Sequence, residues 1–179
     1  MPYNIENKLV VGVSSSALFN LEKESGIFNN GKGLQEYRRY QIGHKKDILD
    51  KGPAYPFISR FLNINKVYSK EKPVEVVLLS QNSPETGIRI FNSIKAHGLD
   101  ITRAAFMSGR SPFEYIPAYN ISLFLSVNDI DVKNAIKAGY PAGRFIRSAT
   151  ISDKETDHEL RVAFDFDGVI ADDEAEIVY

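Results

Sequence analysis

The amino-acid sequence predicts an α/β fold, a Rossmann-like and mainly parallel sheet with helices on both faces. Two observations predict it. Short apolar runs rich in β-branched residues recur along the chain, as buried strands do. Segments with helical spacing or helix-end signals separate them, and such alternation builds a parallel sheet covered on both sides.

The elements follow in order. LVVGV at 9–13 is a strand that runs into three serines, Ser14, Ser15 and Ser16. Residues 33–45 carry loose helical spacing through Leu34, Tyr37, Tyr40 and Ile42. Gly52-Pro53 marks a turn, and 54–65 reads as a helix. VEVVLL at 74–79 is a strand that halts at Ser80. Ser83 then stands as N-cap and Pro84 at the first helical position. Ile88, Phe91, Ile94 and Lys95 form the helix stripe, with Gly98 just past its end. Residues 102–107 are a strand, 112–119 a short helix or turn, and 121–125 a further strand. Asn128 caps a helix over 129–138 that stops at Gly139, and 143–146 is a short strand. The polar stretch 150–159 is a linker. LRVAF at 160–164 then starts a new strand, ending in Asp165-Phe166-Asp167-Gly168.

Composition narrows the function classes. The 179 residues carry 22 Lys+Arg against 23 Asp+Glu, a net charge of −1. That balance argues against a general nucleic-acid coat or a polybasic membrane binder. The absence of cysteine rules out disulfides and thiolate metal sites. No apolar run approaches the roughly 20 residues that cross a bilayer. The amino terminus has no signal-peptide pattern, so the expected setting is the cytoplasm.

The strongest chemical signal is Asp165-x-Asp167-Gly168 directly after an apolar run. In an open parallel sheet, ligands bind outside the carboxyl ends of the strands. Two carboxylates one residue apart there can divide the labour. Asp165 can attack phosphorus and bind a hard cation; Asp167 can protonate the leaving oxygen and later activate water. Mg²⁺, which prefers oxygen ligands, would offset the phosphate charge. Gly168 lets the backbone turn away from the strand. Taken alone, the same four residues are also an ordinary polar turn.

LRVAFDFDGVIADDEAE resembles the nucleophile motif of the cytosolic type I 5′-nucleotidases, in the haloacid dehalogenase superfamily. VSSSALFNL, YRRYQ, GPAYPF, VEVVLLSQNSPETGIRIFNSI, LDITRAAFMSGRSP and YNISLFLS resemble further segments of that family, in the family's order. The resemblance covers nearly the whole chain. It implies a haloacid-dehalogenase-like sheet and magnesium-dependent hydrolysis of nucleoside 5′-monophosphates through a phosphoaspartate. It also implies Asp165 as nucleophile, Asp167 as general acid–base, and both as metal ligands. Family chains run on past this motif to a phosphate-holding Ser/Thr, a Lys and a further acidic pair. The expected organisation is therefore a degenerate α/β domain over 1–150, then a linker and the first strand and nucleophile motif of a catalytic domain over 151–179. The partner is a nucleoside monophosphate, with no nucleic acid polymer and no membrane. A non-catalytic nucleotide-binding or interaction module is the alternative from another class, and a general sugar-phosphate phosphatase is a third reading.

Other candidates have plain readings. Asp172, Asp173, Glu174 and Glu176 read as an acidic first helical turn. His44, His97 and His158 share no ligand spacing and read as surface residues. Arg38-Arg39 and Lys45-Lys46 read as a solvated helix face. Tyr37, Tyr40, Tyr55 and Phe57 read as core. Ser14–Ser16 lack the G-x-S-x-G pattern of a nucleophile elbow. At Ser80-Gln81-Asn82-Ser83 two readings stay open, an anion cradle and ordinary capping by Ser83. One internal similarity stands out. VGVSSSALF at 11–19 lays onto VAFDFDGVI at 162–170, putting Ser14 on Asp165 and Ser16 on Asp167 at one common offset. It predicts that Ser14, Ser80 and Ser126 cluster at the carboxyl edge of one parallel sheet, with the Ser14 strand central.

Overall fold

The structure is a computed structural model and describes residues 7–22, 33–146 and 157–165. Its centre is a five-stranded, all-parallel sheet, in which β1 (Leu9–Ser14) is flanked by β2 (Val74–Ser80) and β4 (Leu123–Ser126). β3 (Arg103–Phe106) lies outside β2, and β5 (Ala142–Arg144) outside β4. The order β3-β2-β1-β4-β5 makes this a Rossmann-like α/β arrangement, as the strand–helix alternation predicts. The chain builds outward from β1 to β3, then returns to the other side of β1 for β4.

Two apolar layers follow from strand alternation. On one face lie Val11, Val13, Val76, Leu78 and Leu125. Against them pack α1 (Ser15–Leu18), α3 (Tyr55–Val67) and α4 (Pro84–Ala96), through Leu18, Ile58, Phe61, Ile90 and Ile94. On the opposite face Val10, Val77, Leu79 and Phe124 meet Ile116, Ile121 and Ala135. Ala135 comes from α5 (Asp129–Lys137), and Ile116 joins two single 3₁₀ turns. α2 (Gly33–Gly43) lies against α4. Helix boundaries obey local chemistry. Asn128 Oδ1 accepts from the amides of Ile130 and Asp131, and Gly139 leaves α5 with φ +84°.

Three expectations need correction. The buried residues of α4 are Thr86, Gly87, Arg89, Ile90, Ser93 and Ile94, whereas Ile88 and Phe91 are exposed. Small residues set that phase: Gly87 lies so close to Phe106 that a Cβ there would sit 2.6 Å from its ring. His97 is not a surface residue. It is half-buried between Phe19 and Tyr55, and its Nε2 lies 2.8 Å from the Leu49 carbonyl. Finally, residues 160–164 form no strand. Strand residues need a neighbouring backbone to bond, and this segment joins no ladder of the described sheet. It is anchored at 157–160, where Arg60 Nε donates to the Asp157 carbonyl at 2.9 Å and Leu160 packs on the core.

Candidate functional site

The carboxyl ends of β1, β2 and β4 converge as the internal similarity predicts. Each ends in a buried serine: Ser14, Ser80 and Ser126. β1 is central, and the switch in chain direction falls between β1 and β4. There Ser126 Oγ donates to Ser14 Oγ at 3.1 Å and accepts from the Asn128 amide at 3.1 Å. Ser14 Oγ in turn caps α1, accepting from the Ala17 amide at 3.2 Å. On the other side Ser15 Oγ and Ser80 Oγ are 2.9 Å apart, and Ser80 Oγ accepts from the Asn82 amide at 3.2 Å. The hydroxyls thus tie three strand ends to the turns that leave them.

The ends of β1 and β2, through Ser14 and Leu79, floor a crevice of about 600 Å³. Its walls bring in Tyr37 and Arg38 from α2, the β2–α4 turn at Gln81–Ser83, the turn after β3, and Asn128 and Asp131 at the start of α5. Tyr37 OH donates to Asn82 Oδ1 at 2.7 Å, which fixes that amide. The Asp131 carboxylate is buried and accepts from Gln81 Nε2 at 3.0 Å and 3.1 Å; burial still pushes its pKa up, against the Ser111 and Gln81 hydrogen bonds.

Arg38 revises the reading of a solvated face. Its guanidinium lines the crevice, and its Nε is buried with no hydrogen-bond partner. Neighbouring Arg39, Lys45 and Lys46 are exposed. Helix phase separates them: Tyr37 and Gln41 face inward one turn apart, and Arg38 lies beside them. Ser83 also departs from expectation. It occupies the N-cap position of α4 with extended backbone, but its side chain makes no cap bond. Its buried Oγ completes no hydrogen bond of good geometry, although its proximity holds the exposed Glu85 carboxyl below the usual range.

The Asp-x-Asp motif lies apart from this description. Asp165 is exposed and in no strand, and Asp167 lies outside the described residues, as do Gly168 and the acidic run at 172–176. Among the described residues no group of three or more His, Cys, Asp or Glu could hold a metal ion. No helix among them is long and apolar enough to cross a membrane.

A family model described as 5′-nucleotidase matches residues 1–179. The human (Homo sapiens) protein Cytosolic 5′-nucleotidase 1B is 33% identical over 185 aligned residues, a match covering 98% of this chain. The chain spans 29% of that relative's length.

Proposed function

The chain belongs to the 5′-nucleotidase family, and from that membership we propose that a protein carrying it hydrolyses nucleoside 5′-monophosphates to nucleoside and phosphate. The observation that carries this reading is the family match along the whole chain, Asp165-x-Asp167 included. In the proposed mechanism an Asp165 carboxylate oxygen attacks phosphorus as the bond to the 5′ oxygen breaks, giving a phosphoaspartate. Asp167 donates its proton to the leaving 5′ oxygen. It then takes a proton from the water that hydrolyses the acyl phosphate, which returns Asp165 as a carboxylate and releases phosphate.

Asp165 and Asp167 offer carboxylate oxygens alone, a donor set that fits a hard divalent cation such as Mg²⁺. The cation would offset the charge of two carboxylates and a phosphate dianion drawn together. The proposed organisation is an α/β unit over 1–150 and a linker leading into the nucleophile motif over 151–179. The cytoplasm is the proposed setting, in line with the cytosolic name of the human relative.

The test is phosphate release from AMP and IMP in Mg²⁺. Asp165→Asn is expected to abolish it, because an amide is a poor nucleophile and a poor metal ligand. Substantial hydrolysis by that variant would overturn the assignment. One observation favours a second reading for the described part, a non-catalytic nucleotide-binding module: the central strand ends in Ser14, a neutral hydroxyl.

A further inference from the structure

We propose that the crevice at the carboxyl edge of the five-stranded sheet binds the phosphate group of a phosphomonoester and does not hydrolyse it. Asp165 is not among the described residues that line it, and the proposal stands whether or not the nucleotidase reading does.

Donors are in surplus at this crevice. Asn82 Oδ1 is occupied by Tyr37 OH, and Asn128 Oδ1 by the first amides of α5. Both carboxamides therefore turn their acceptor to the protein, while their NH₂ groups bond no described residue. The Ser14, Ser80 and Ser126 oxygens accept from neighbouring amides or hydroxyls, so they too are drawn into the protein's own network. Arg38 Nε and Ser83 Oγ are buried at the crevice with no hydrogen bond of good geometry, the exposed Glu85 carboxylate being a charge that both feel. A buried donor left unpaired is costly, so such groups mark where an acceptor belongs. Donors arriving from α2, the β2–α4 turn and the start of α5 suit a compact anion with several acceptor oxygens. A planar carboxylate uses two directions; a phosphate uses more. The positive ends of α4 and α5 add to the same preference.

The walls beside these donors include Leu21, Leu79 and Pro112, which suit the esterified part of a phosphomonoester. A volume of about 600 Å³ is ample for a molecule the size of a mononucleotide. Asp131 is the carboxylate among the described lining residues, and both its oxygens accept from Gln81 Nε2. Turnover lacks its parts. The central strand end offers Ser14, whose Oγ is already α1's cap, and no histidine lines the crevice to activate it.

The test is calorimetric titration of the 179-residue chain with AMP in EDTA at pH 7.5, with adenosine as the phosphate-free control. The chelator removes any contribution from a metal at Asp165. Saturable AMP binding is expected, with adenosine much weaker and no phosphate released. Arg38→Gln and Ser16→Glu should each weaken AMP by about tenfold or more, the loss of one charge-assisted bond or the gain of one repulsion. Asp131→Asn should tighten it. Circular dichroism establishes that each variant folds, and amide shifts at Asn82, Ser83 and Asn128 in the unmodified chain locate the ligand without any variant. No saturation, equal binding of adenosine, or AMP-induced shifts confined to residues outside the crevice would each overturn the proposal.

Discussion

The hydroxyl pair Ser15–Ser80 lets the energetics of the strand-end network be worked out bond by bond. Both residues are buried, and their oxygens are 2.9 Å apart. Ser80→Ala removes that bond and also the acceptor of the Asn82 amide. It strands Ser15 Oγ in a buried site and leaves the Asn82 amide unpaired, so the expected loss is about 2–3 kcal/mol. Ser15→Ala breaks the same pair bond, but Ser80 Oγ keeps the Asn82 amide, so the expected loss is about 0.5–1.5 kcal/mol. In the double variant the stranded hydroxyl is gone. Its loss should therefore fall short of the sum by about 1 kcal/mol, the coupling of the pair. Equilibrium urea unfolding of the four proteins, fitted with a shared m-value, measures this directly. If Ser15→Ala is as damaging as Ser80→Ala, or if the two losses simply add, the hydroxyls are not paired as described and the network does not hold the turn after β2.

Further predictions concern charge, packing and chemistry. Burial raises the Asp131 pKa, so the folded state holds that proton more tightly than the unfolded chain. Its destabilising effect is absent below the unfolded pKa and grows as pH rises toward the raised folded value. Asp131→Asn should thus gain stability relative to the parent chain between about pH 4 and neutrality; an advantage that shrinks over that range would contradict the burial argument. Gly87→Ala should gain about 1 kcal/mol of helix propensity but lose about 1–3 kcal/mol to overpacking against Phe106. A second substitution, Phe106→Ala, should abolish the overpacking loss, as a double-mutant cycle by thermal unfolding would show. Phe124 is fully buried against Ala135 and Ile121, so Phe124→Ala should lose about 3–5 kcal/mol. In a protein carrying this chain, Asp167→Asn should slow nucleotide hydrolysis by about 10²- to 10⁴-fold, read as initial rates in Mg²⁺.

How far the sequence could be read depended on whether a feature is decided locally. Strand cores such as VEVVLL and helix ends such as Asn128 and Gly139 are local, and the fold places them where the pattern does. The meeting of Ser14, Ser80 and Ser126 was legible too, because parallel strands put all their carboxyl ends on one edge. Arg38 was not legible. In sequence it looks like Arg39, and only the phase of α2 against α4 sends one guanidinium into the crevice and the other to solvent. The buried face of α4 was misread for the same reason, since close approach at Gly87 outweighs the apolar stripe through Ile88 and Phe91. The run at 160–164 has strand propensity, yet propensity forms no ladder without a partner backbone, and Val162 and Phe164 stay exposed.

The two strand-end patterns differ in one chemical respect that decides what each can do. Where VGVSSSALF places hydroxyls, VAFDFDGVI places carboxylates. A serine oxygen near neutrality is uncharged, a weak ligand for a hard cation and a weak nucleophile without a base to take its proton. At Ser14 no histidine among the described residues lines the crevice to take that proton, and its oxygen is spent holding α1 and Ser126. A neutral floor also removes the repulsion that a carboxylate would exert on a phosphate dianion, so the change that forbids attack favours retention. Asp165 and Asp167 carry the opposite balance: charge that repels a phosphate unless a cation offsets it, and carboxylates able to serve as the proposed nucleophile and acid–base pair. Binding at the hydroxyl pattern and cleavage at the carboxylate pattern is the division of labour that the two proposals together describe.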